Sequence, residues 1–433
     1  MAATVPAAPL ESDTSALAAD VRPREVWAWS MYDFANSGYT TVVVTAVFSA
    51  YFVGAVAGNA PWATLLWTAS LSISYAAVLA TAPLIGAWAD AHAAKKRLLA
   101  LATVGCVGFT ALLYFAQPGT VALAMALVVA SNFFFSVGEN LIAAFLPELA
   151  SSRAMGRVSG WGWAFGYVGG LVSLGACLAY IQAAEGAPAT SFVPVTMLIT
   201  AAIFAVAAMP TFLFLRERAR PQPAVASPFA RVRQTLAHAA RFRDLRHFLL
   251  CILFYQAGIQ TVVALAAIYA QQVMGFTFQQ TIVLILVVNV TAAVGAFGFG
   301  YLQDRVGHVR AMALVLLGWV AMIVLAWLSA SQATFWLAAN LAGLCMGASQ
   351  AAGRALVGYF SPPSRLAEFF GLWGLAVKAA SIFGPLTYGA VTWAFAGNHR
   401  LAILATGVYF LIGLALLRGI DAARGRRAAL AEG

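Results

Sequence analysis

The chain is predicted to be an all-α membrane protein, with twelve transmembrane helices arranged as two pseudo-symmetric six-helix bundles. Three observations predict this. Of 433 residues, 62% are hydrophobic and only 9% charged, and the mean hydropathy is +0.85, values outside the range of soluble domains. Apolar stretches of about 20 residues, each enough to cross a hydrocarbon core roughly 30 Å thick, recur along the chain. The two halves also carry matching sequence marks.

The first 26 residues are rich in Ala and Pro, carry Glu11, Asp13 and Asp20, and lack the apolar run of a cleaved signal peptide, so 1–26 is expected to be a disordered cytoplasmic tail. The N-terminal bundle, 27–215, holds apolar stretches near 31–57, 65–89, 98–116, 120–145, 158–183 and 192–215. A polar linker, 216–247, contains Pro221, Pro223 and Pro228. Its residues 229–246 read either as an amphipathic helix, with Phe229, Val232 and Leu236 on one side, or as a flexible tether. The C-terminal bundle, 248–418, holds stretches near 248–273, 279–302, 311–330, 334–358, 369–396 and 400–417, and 419–433 forms a second cytoplasmic tail.

Lys and Arg in short loops stay on the cytoplasmic side of a membrane. Arg22 and Arg24, Lys95 to Arg97, Arg153 and Arg157, eight arginines of the linker, Arg305, Arg310, Arg354, Arg365 and the arginines of the C-terminal tail all fall at the same end of the predicted bundle. Both termini are therefore expected to be cytoplasmic. The net charge of +10 is scattered over these loops, which argues for topology and against nucleic-acid binding. The four cysteines fall inside spans at irregular intervals and read as small buried hydrophobes; no metal site and no cofactor is expected.

The halves echo one another. Gly86 and Asp90 precede Lys95-Lys96-Arg97 after the second span, and Gly300 and Asp304-Arg305 precede Gly307 and Arg310 after the eighth. Asp90 and Asp304 are 214 positions apart, as are the two glycines. Duplicated six-helix units mark secondary transporters, whose substrate site lies near mid-membrane between the repeats.

Ionisable and amide side chains inside the spans nominate the site, because lipid satisfies neither charge nor amide. In the first span Asp33, Asn36, Ser37, Thr40 and Thr41 share one helical face. The fourth carries Asn132, Ser136, Glu139 and Asn140 at the same spacing, the seventh Gln256 and Gln260, and the tenth Asn340, Gln350 and Arg354. Lys378 lies about twelve residues into the eleventh span, near mid-membrane and too deep to reach either surface with ease. It must pair with an acid, bind an anion or lose its proton. It reads as a holder of a substrate carboxylate, against a buried ion pair locking two helices; Glu139 reads as a functional acid, against a structural partner of Arg157. Small-xxx-small spacings at Gly156, Gly160, Gly162, Gly166, Gly169 and Gly170 of the fifth span read as close helix packing, and Gly384-Pro385 as a kink or flexible point.

The paired Gly-x-x-x-Asp loops and twelve spans resemble the major facilitator superfamily. Tyr32-Asp33-Phe34-Ala35-Asn36-Ser37, Phe145-Leu146-Pro147-Glu148-Leu149-Ala150, Gly156-Arg157-Val158-Ser159-Gly160 and Glu368-Phe369-Phe370-Gly371 with Lys378 and Gly384-Pro385 resemble, more narrowly, the branch of autophagy-linked vacuolar amino-acid effluxers and their bacterial relatives. The resemblance implies the major facilitator fold, a rocking-bundle permease in a bacterial inner membrane, amino acids as substrate, and gating roles for Asp90, Lys95, Asp304, Arg305 and Arg310. Ala91 and Ala94 depart from the basic or polar residues usual in the first loop, and Ala257 stands where the branch often has an acid.

The expected function is alternating-access transport of a small polar or zwitterionic solute, with protons as a coupling partner. Asp33, Asn36, Thr40, Glu139, Asn140, Gln256, Gln260 and Lys378 supply the binding or coupling groups. An exporter of amphipathic or drug-like compounds, favoured by Trp161, Trp163, Tyr167 and Trp373, and a non-transporting sensor on a carrier fold are the alternatives. An intramembrane enzyme is excluded by the histidines, all at span ends or in loops, and by the lack of a His-Glu-x-x-His motif.

Overall fold

The computed structural model describes residues 17–18, 20–150, 155–184, 186–218, 227–361 and 366–431. Most of the expected N-terminal tail, linker residues 219–226 and the side chains of Asp90, Arg157, Asp304, Arg305 and Arg354 lie outside the described residues.

The long helices run in chain order as α1 (Pro23–Val56), α2 (Ala63–His92), α3 (Lys95–Leu112), α4 (Val121–Ala143), α5 (Met155–Ala183), α6 (Ala189–Phe214), α7 (Arg243–Gln272), α8 (Phe278–Val306), α9 (His308–Leu328), α10 (Gln332–Phe360), α11 (Leu366–Ala394) and α12 (His399–Leu417). Eleven are long and apolar enough to cross a membrane. The twelve expected spans correspond to these twelve helices; α10, 29 residues long with Gln332, Asn340 and Gln350 on it, is less apolar than the other eleven. The start of α1 and the end of α12 lie at the end rich in Lys and Arg; the opposite end is called the far end below.

Helix starts follow local chemistry. Pro23 occupies the first turn of α1, where its missing N–H costs nothing, and the Arg22 N–H donates to Glu25 Oε1 at 3.3 Å. Thr277 caps α8, Ser331 caps α10 and Asn398 caps α12 through side-chain oxygens. The expected disordered stretch to residue 26 is corrected accordingly: α1 begins at Pro23, and Leu17 forms a β-bridge with Ala150. In the linker, Pro228–Ala239 is helical and packs against both α2 and α11. The tail after α12 holds a helix, Ala422–Ala431.

Contacts repeat between halves with a shift of six helices. α1 packs on α5 and α6 as α7 packs on α11 and α12; α4 packs on α2 and α3 as α10 packs on α8 and α9. Between halves the contacts include α2 with α11, α5 with α8, α1 with α7 and a smaller one of α1 with α8; the first three form a set unchanged when the halves exchange places. The duplication reaches single residues. Ala93 ends α2 in the left-handed region at φ 45°, and Gly307, 214 positions later, ends α8 at φ 88°. Glycine adopts positive φ without strain; alanine does so at a cost of about 1–2 kcal/mol.

Missing Cβ atoms set how closely helices approach. A Cβ at Gly169 of α5 would stand 2.1 Å from the Phe34 carbonyl of α1, and one at Gly384 of α11 2.0 Å from the Ala257 carbonyl of α7. Both glycines lie within a half. At the far end Gly389 of α11 meets α2 across the halves, where a Cβ would be 2.1 Å from Thr68 Oγ1 and 3.0 Å from Leu65 Cα.

Candidate functional site

The site lies at the seam between halves. From the far end inward, the seam is fastened by neutral bonds: Gln272 Nε2 donates to Asn59 Oδ1 at 2.6 Å, Trp67 Nε1 to the Ala264 carbonyl at 3.3 Å, and Ser72 Oγ to the Ile382 carbonyl at 3.1 Å. Next comes an ion pair. Lys378 Nζ of α11 donates to Glu139 Oε2 of α4 at 2.5 Å and sits 5.3 Å from the ring centroid of Tyr75 on α2. These side-chain bonds cross between halves from the far end to the level of Lys378.

Local sequence explains the meeting. Lys378 sits twelve residues into α11, and Tyr75 twelve residues into α2 from the other end, so antiparallel neighbours bring them to one level. Glu139 follows Asn132 and Ser136 on one face of α4, and Asn132 Nδ2 donates to Ser74 Oγ of α2 at 3.0 Å. That face therefore points at α2 and the seam. The Lys378 side chain is 16% exposed and that of Glu139 41%, so the acid is the accessible partner.

The other predicted residues divide. The Asp33 carboxylate lies against Gly162 of α5, Ser37 against Gly166 and Thr41 against Gly170, so this edge of the α1 polar face rests on the glycine face of α5. Asp33 is half-buried and engaged by a partner. Asn36 is buried, and neither of its amide heteroatoms has a hydrogen-bond partner among the described residues. Thr40, half-buried, donates to the Asn36 carbonyl at 3.3 Å and stands where α1 widens into π-helical turns, Thr40–Ala46. Gln256 is buried with Oε1 unpartnered among the described residues, Gln260 is half-buried, and Asn140 is exposed in the last turn of α4. Asn132 Oδ1 and Ser136 Oγ, beside Glu139 on α4, are likewise buried and unpartnered.

At the basic end Lys95 Nζ meets Glu148 Oε1 at 3.0 Å, and the backbone N–H groups of Lys95 and Lys96 donate to Glu217, which thereby caps α3. Arg310 is exposed. Two clasps were not foreseen by sequence reasoning. Arg218, beyond α6, grips Glu25 of α1 with two bonds of 2.9 Å, and Arg424, beyond α12, grips Asp244 of α7 at 2.8 and 2.6 Å. Hydrogen bonding to Glu25 holds the Arg218 guanidinium above its ordinary pKa, and Asp244 does the same for Arg424. Each clasp ties the first helix of a half to the segment after its sixth. Tyr75 was also missed, because a lone tyrosine in an apolar run reads as core; the polar run Ser70, Ser72, Ser74 beside it was the available signal.

The C-terminal half contains a separate apolar cavity of about 70 Å³, lined by Leu265, Tyr269, Ile285, Phe335, Ala339 and Ile403 among others. Among the described residues no group of three His, Cys, Asp or Glu is placed to hold a metal ion.

Comparison with known proteins gives a concordant picture. A family profile described as "Vacuole effluxer Atg22 like" matches residues 62–430. The chain is 27% identical over 400 residues to YxiO of Bacillus subtilis (strain 168), described as an MFS-type transporter, covering 90% of this chain and 93% of that protein. It is 24% identical over 309 residues to Autophagy-related protein 22-1 of Penicillium rubens, covering 65% of this chain but only 52% of the fungal one, so it spans about half the length of that relative. Among solved structures, a bacterial homologue of the human lysosomal transporter Spinster, inward-facing and unoccupied, superposes with a TM-score of 0.68 at 14% identity, over 94% of this chain and 99% of that one. The nucleoside transporter NupG gives 0.67 at 13% identity, over 92% and 98%. At such identities the structural likeness speaks for the fold alone.

Proposed function

We propose, from the premise that this chain belongs to the Atg22-like vacuole effluxer family of the major facilitator superfamily, that it carries small zwitterionic solutes, amino acids foremost, by alternating access. Membership makes it a secondary-active transporter of small molecules in a membrane, and not an enzyme. The substrate class, the coupling and the orientation are our reading.

One observation carries that reading: an ammonium and a carboxylate, contributed by opposite halves, meet at the seam of an apolar bundle, Lys378 twelve residues into α11 and Glu139 four residues before the end of α4, with the carboxylate accessible. A zwitterion presents the complementary charges. Its carboxylate would take Lys378 and its ammonium Glu139, so the solute replaces the direct pair without leaving either charge bare. Asn36, Gln256 and Gln260 supply hydrogen bonds; an unpartnered buried amide atom costs about 1–3 kcal/mol, which a polar solute or water can offset. Thr40 and Asn140 stand one turn from Asn36 and Ser136, respectively, and Asp33 steadies the α1–α5 contact beside the site. The half-exposed Glu139 is the port for a coupling proton whenever the bound solute leaves its carboxylate without a partner. The Lys- and Arg-bearing end faces the cytoplasm of a bacterial cell, where the loops with Asp90, Lys95, Asp304, Arg305 and Arg310 gate the seam. The linker 216–247 tethers the two bundles there.

A thermal-shift screen of purified protein against amino acids, peptides, sugars and organic acids, repeated with Lys378→Ala, tests this. Carboxylate-bearing zwitterions are expected to stabilise the wild type and lose their effect in the variant; equal effects on both proteins would remove Lys378 from the site. The apolar cavity among α7–α12 favours a second reading, export of amphipathic compounds, for which hydrophobic amines and dyes would be the stabilising ligands.

A further inference from the structure

Resting on that reading of the site, we infer that the Lys378–Glu139 pair sets the proton stoichiometry of transport: no proton travels with a zwitterion, and one travels on Glu139 with a monocarboxylate. The argument is charge balance. The pair spans the seam, so it must be closed over whenever the halves rock, and an uncompensated charge closed into an apolar bundle is costly. Empty, the site is neutral because Lys378 and Glu139 satisfy one another, and the empty carrier can return unaided. Filled by a zwitterion, it is neutral again. Filled by a monocarboxylate, Lys378 is satisfied and Glu139 is not. A proton must then add to the Glu139 carboxylate, giving the neutral acid and releasing the Lys378 N–H to the solute; on discharge the proton leaves and the pair reforms.

Geometry assigns the proton to Glu139. Its side chain is 41% exposed, whereas Lys378 is 16% exposed and backed by the Tyr75 ring. The other titratable groups described near this level on the packed helices are engaged or enclosed. Tyr32 and Tyr39 of α1 are bonded to Thr103 and Ser131, Asp33 has its own partner beside Gly162, and Cys106 of α3 is buried. On the side of α11, Tyr255 and Cys251 of α7 are buried and Tyr409 of α12 is bonded to Thr387.

The test uses proteoliposomes with an entrapped pH dye and a valinomycin-clamped potential, with leucine and alanine compared with their N-acetyl derivatives, which keep the carboxylate and lose the ammonium. Expected is amino-acid uptake that leaves the dye and the potential without effect, and N-acetyl uptake that carries one proton per solute. Glu139→Gln should lower amino-acid uptake at least tenfold and abolish the proton movement that accompanies the N-acetyl compounds. Amino-acid uptake that acidifies the lumen or quickens with potential overturns the inference while leaving the carrier reading intact. So does a wild type that moves the N-acetyl compounds without protons or refuses them. Absence of flux of any of these solutes overturns both. The wild-type stoichiometry stands as a test even if the variant fails to fold.

Discussion

Gly389 of α11 lies close against α2 of the other half, and Gly389→Ala should prop the far end open. The added Cβ would lie 2.1 Å from Thr68 Oγ1, 3.0 Å from Leu65 Cα and 3.3 Å from the Thr64 carbonyl. Carbon contacts are comfortable at about 3.5–4.0 Å, so α11 must withdraw from α2 by roughly 1–1.5 Å. Thr68 is β-branched and its hydroxyl donates to the Leu65 carbonyl at 3.0 Å, so rotating it away is not free. Overpacking of this kind costs about 1–3 kcal/mol. Because the contact joins the two halves, that cost falls on the far-closed state alone and shifts its population by roughly 5- to 150-fold. Gly384→Ala is the control: its Cβ would meet the Ala257 carbonyl within the C-terminal half, a contact present in either state. The assay is the distance between spin labels placed at Gln117 and Ala333, exposed far-end positions of opposite halves. Gly389→Ala should lengthen it and Gly384→Ala should only lower stability. An unchanged distribution in Gly389→Ala, or the same lengthening in both, would refute the reasoning.

Other outcomes follow from the same geometry. Gly169→Leu drives a side chain into the Phe34 carbonyl, which is backbone and cannot turn aside, so detergent-solubilised protein should run as aggregate in size exclusion; a monodisperse peak would contradict the packing of α1 on α5. Ala93→Gly relieves a left-handed alanine and should raise stability by about 0.5–1 kcal/mol in a denaturation series, whereas Gly307→Ala, at the equivalent turn, should lower it. Arg218→Ala leaves Glu25, whose side chain is 3% exposed, without its two bonds, and a loss of about 1–3 kcal/mol is expected; Arg218→Lys should recover only part, since one ammonium cannot reproduce the fork. No change in melting temperature for Arg218→Ala would show the clasp to be idle.

What sequence could read, and what it could not, separates by range. Helix positions came from composition averaged over about twenty residues, a strong signal because lipid demands it. The duplication was legible in the loops, and the structure extends it to Ala93 and Gly307. Lys378 and Glu139 each stood out as charges in apolar helices, yet nothing in a linear pattern says that residues 239 positions apart share a bond. The α1 face was read as one polar stripe because the 3.6-residue period groups Asp33, Asn36, Ser37, Thr40 and Thr41; only packing shows that Asp33, Ser37 and Thr41 rest on the glycines of α5. The period names a face and leaves open which neighbour it meets. The Arg218–Glu25 clasp escaped for the same reason, its members lying 193 positions apart at span ends where basic residues were already accounted for by topology. α10 was legible as a span although it is the least apolar of the twelve, because its packing on α8 and α9 gives its polar residues a face turned away from lipid.

Counterflow in proteoliposomes tests the central claim most directly. Vesicles preloaded with unlabelled neutral amino acid should transiently accumulate the labelled compound with saturation, and Lys378→Ala vesicles of equal protein content should not. Equal accumulation in both, or none that exceeds protein-free vesicles, would contradict a carrier that binds its solute between Lys378 and Glu139.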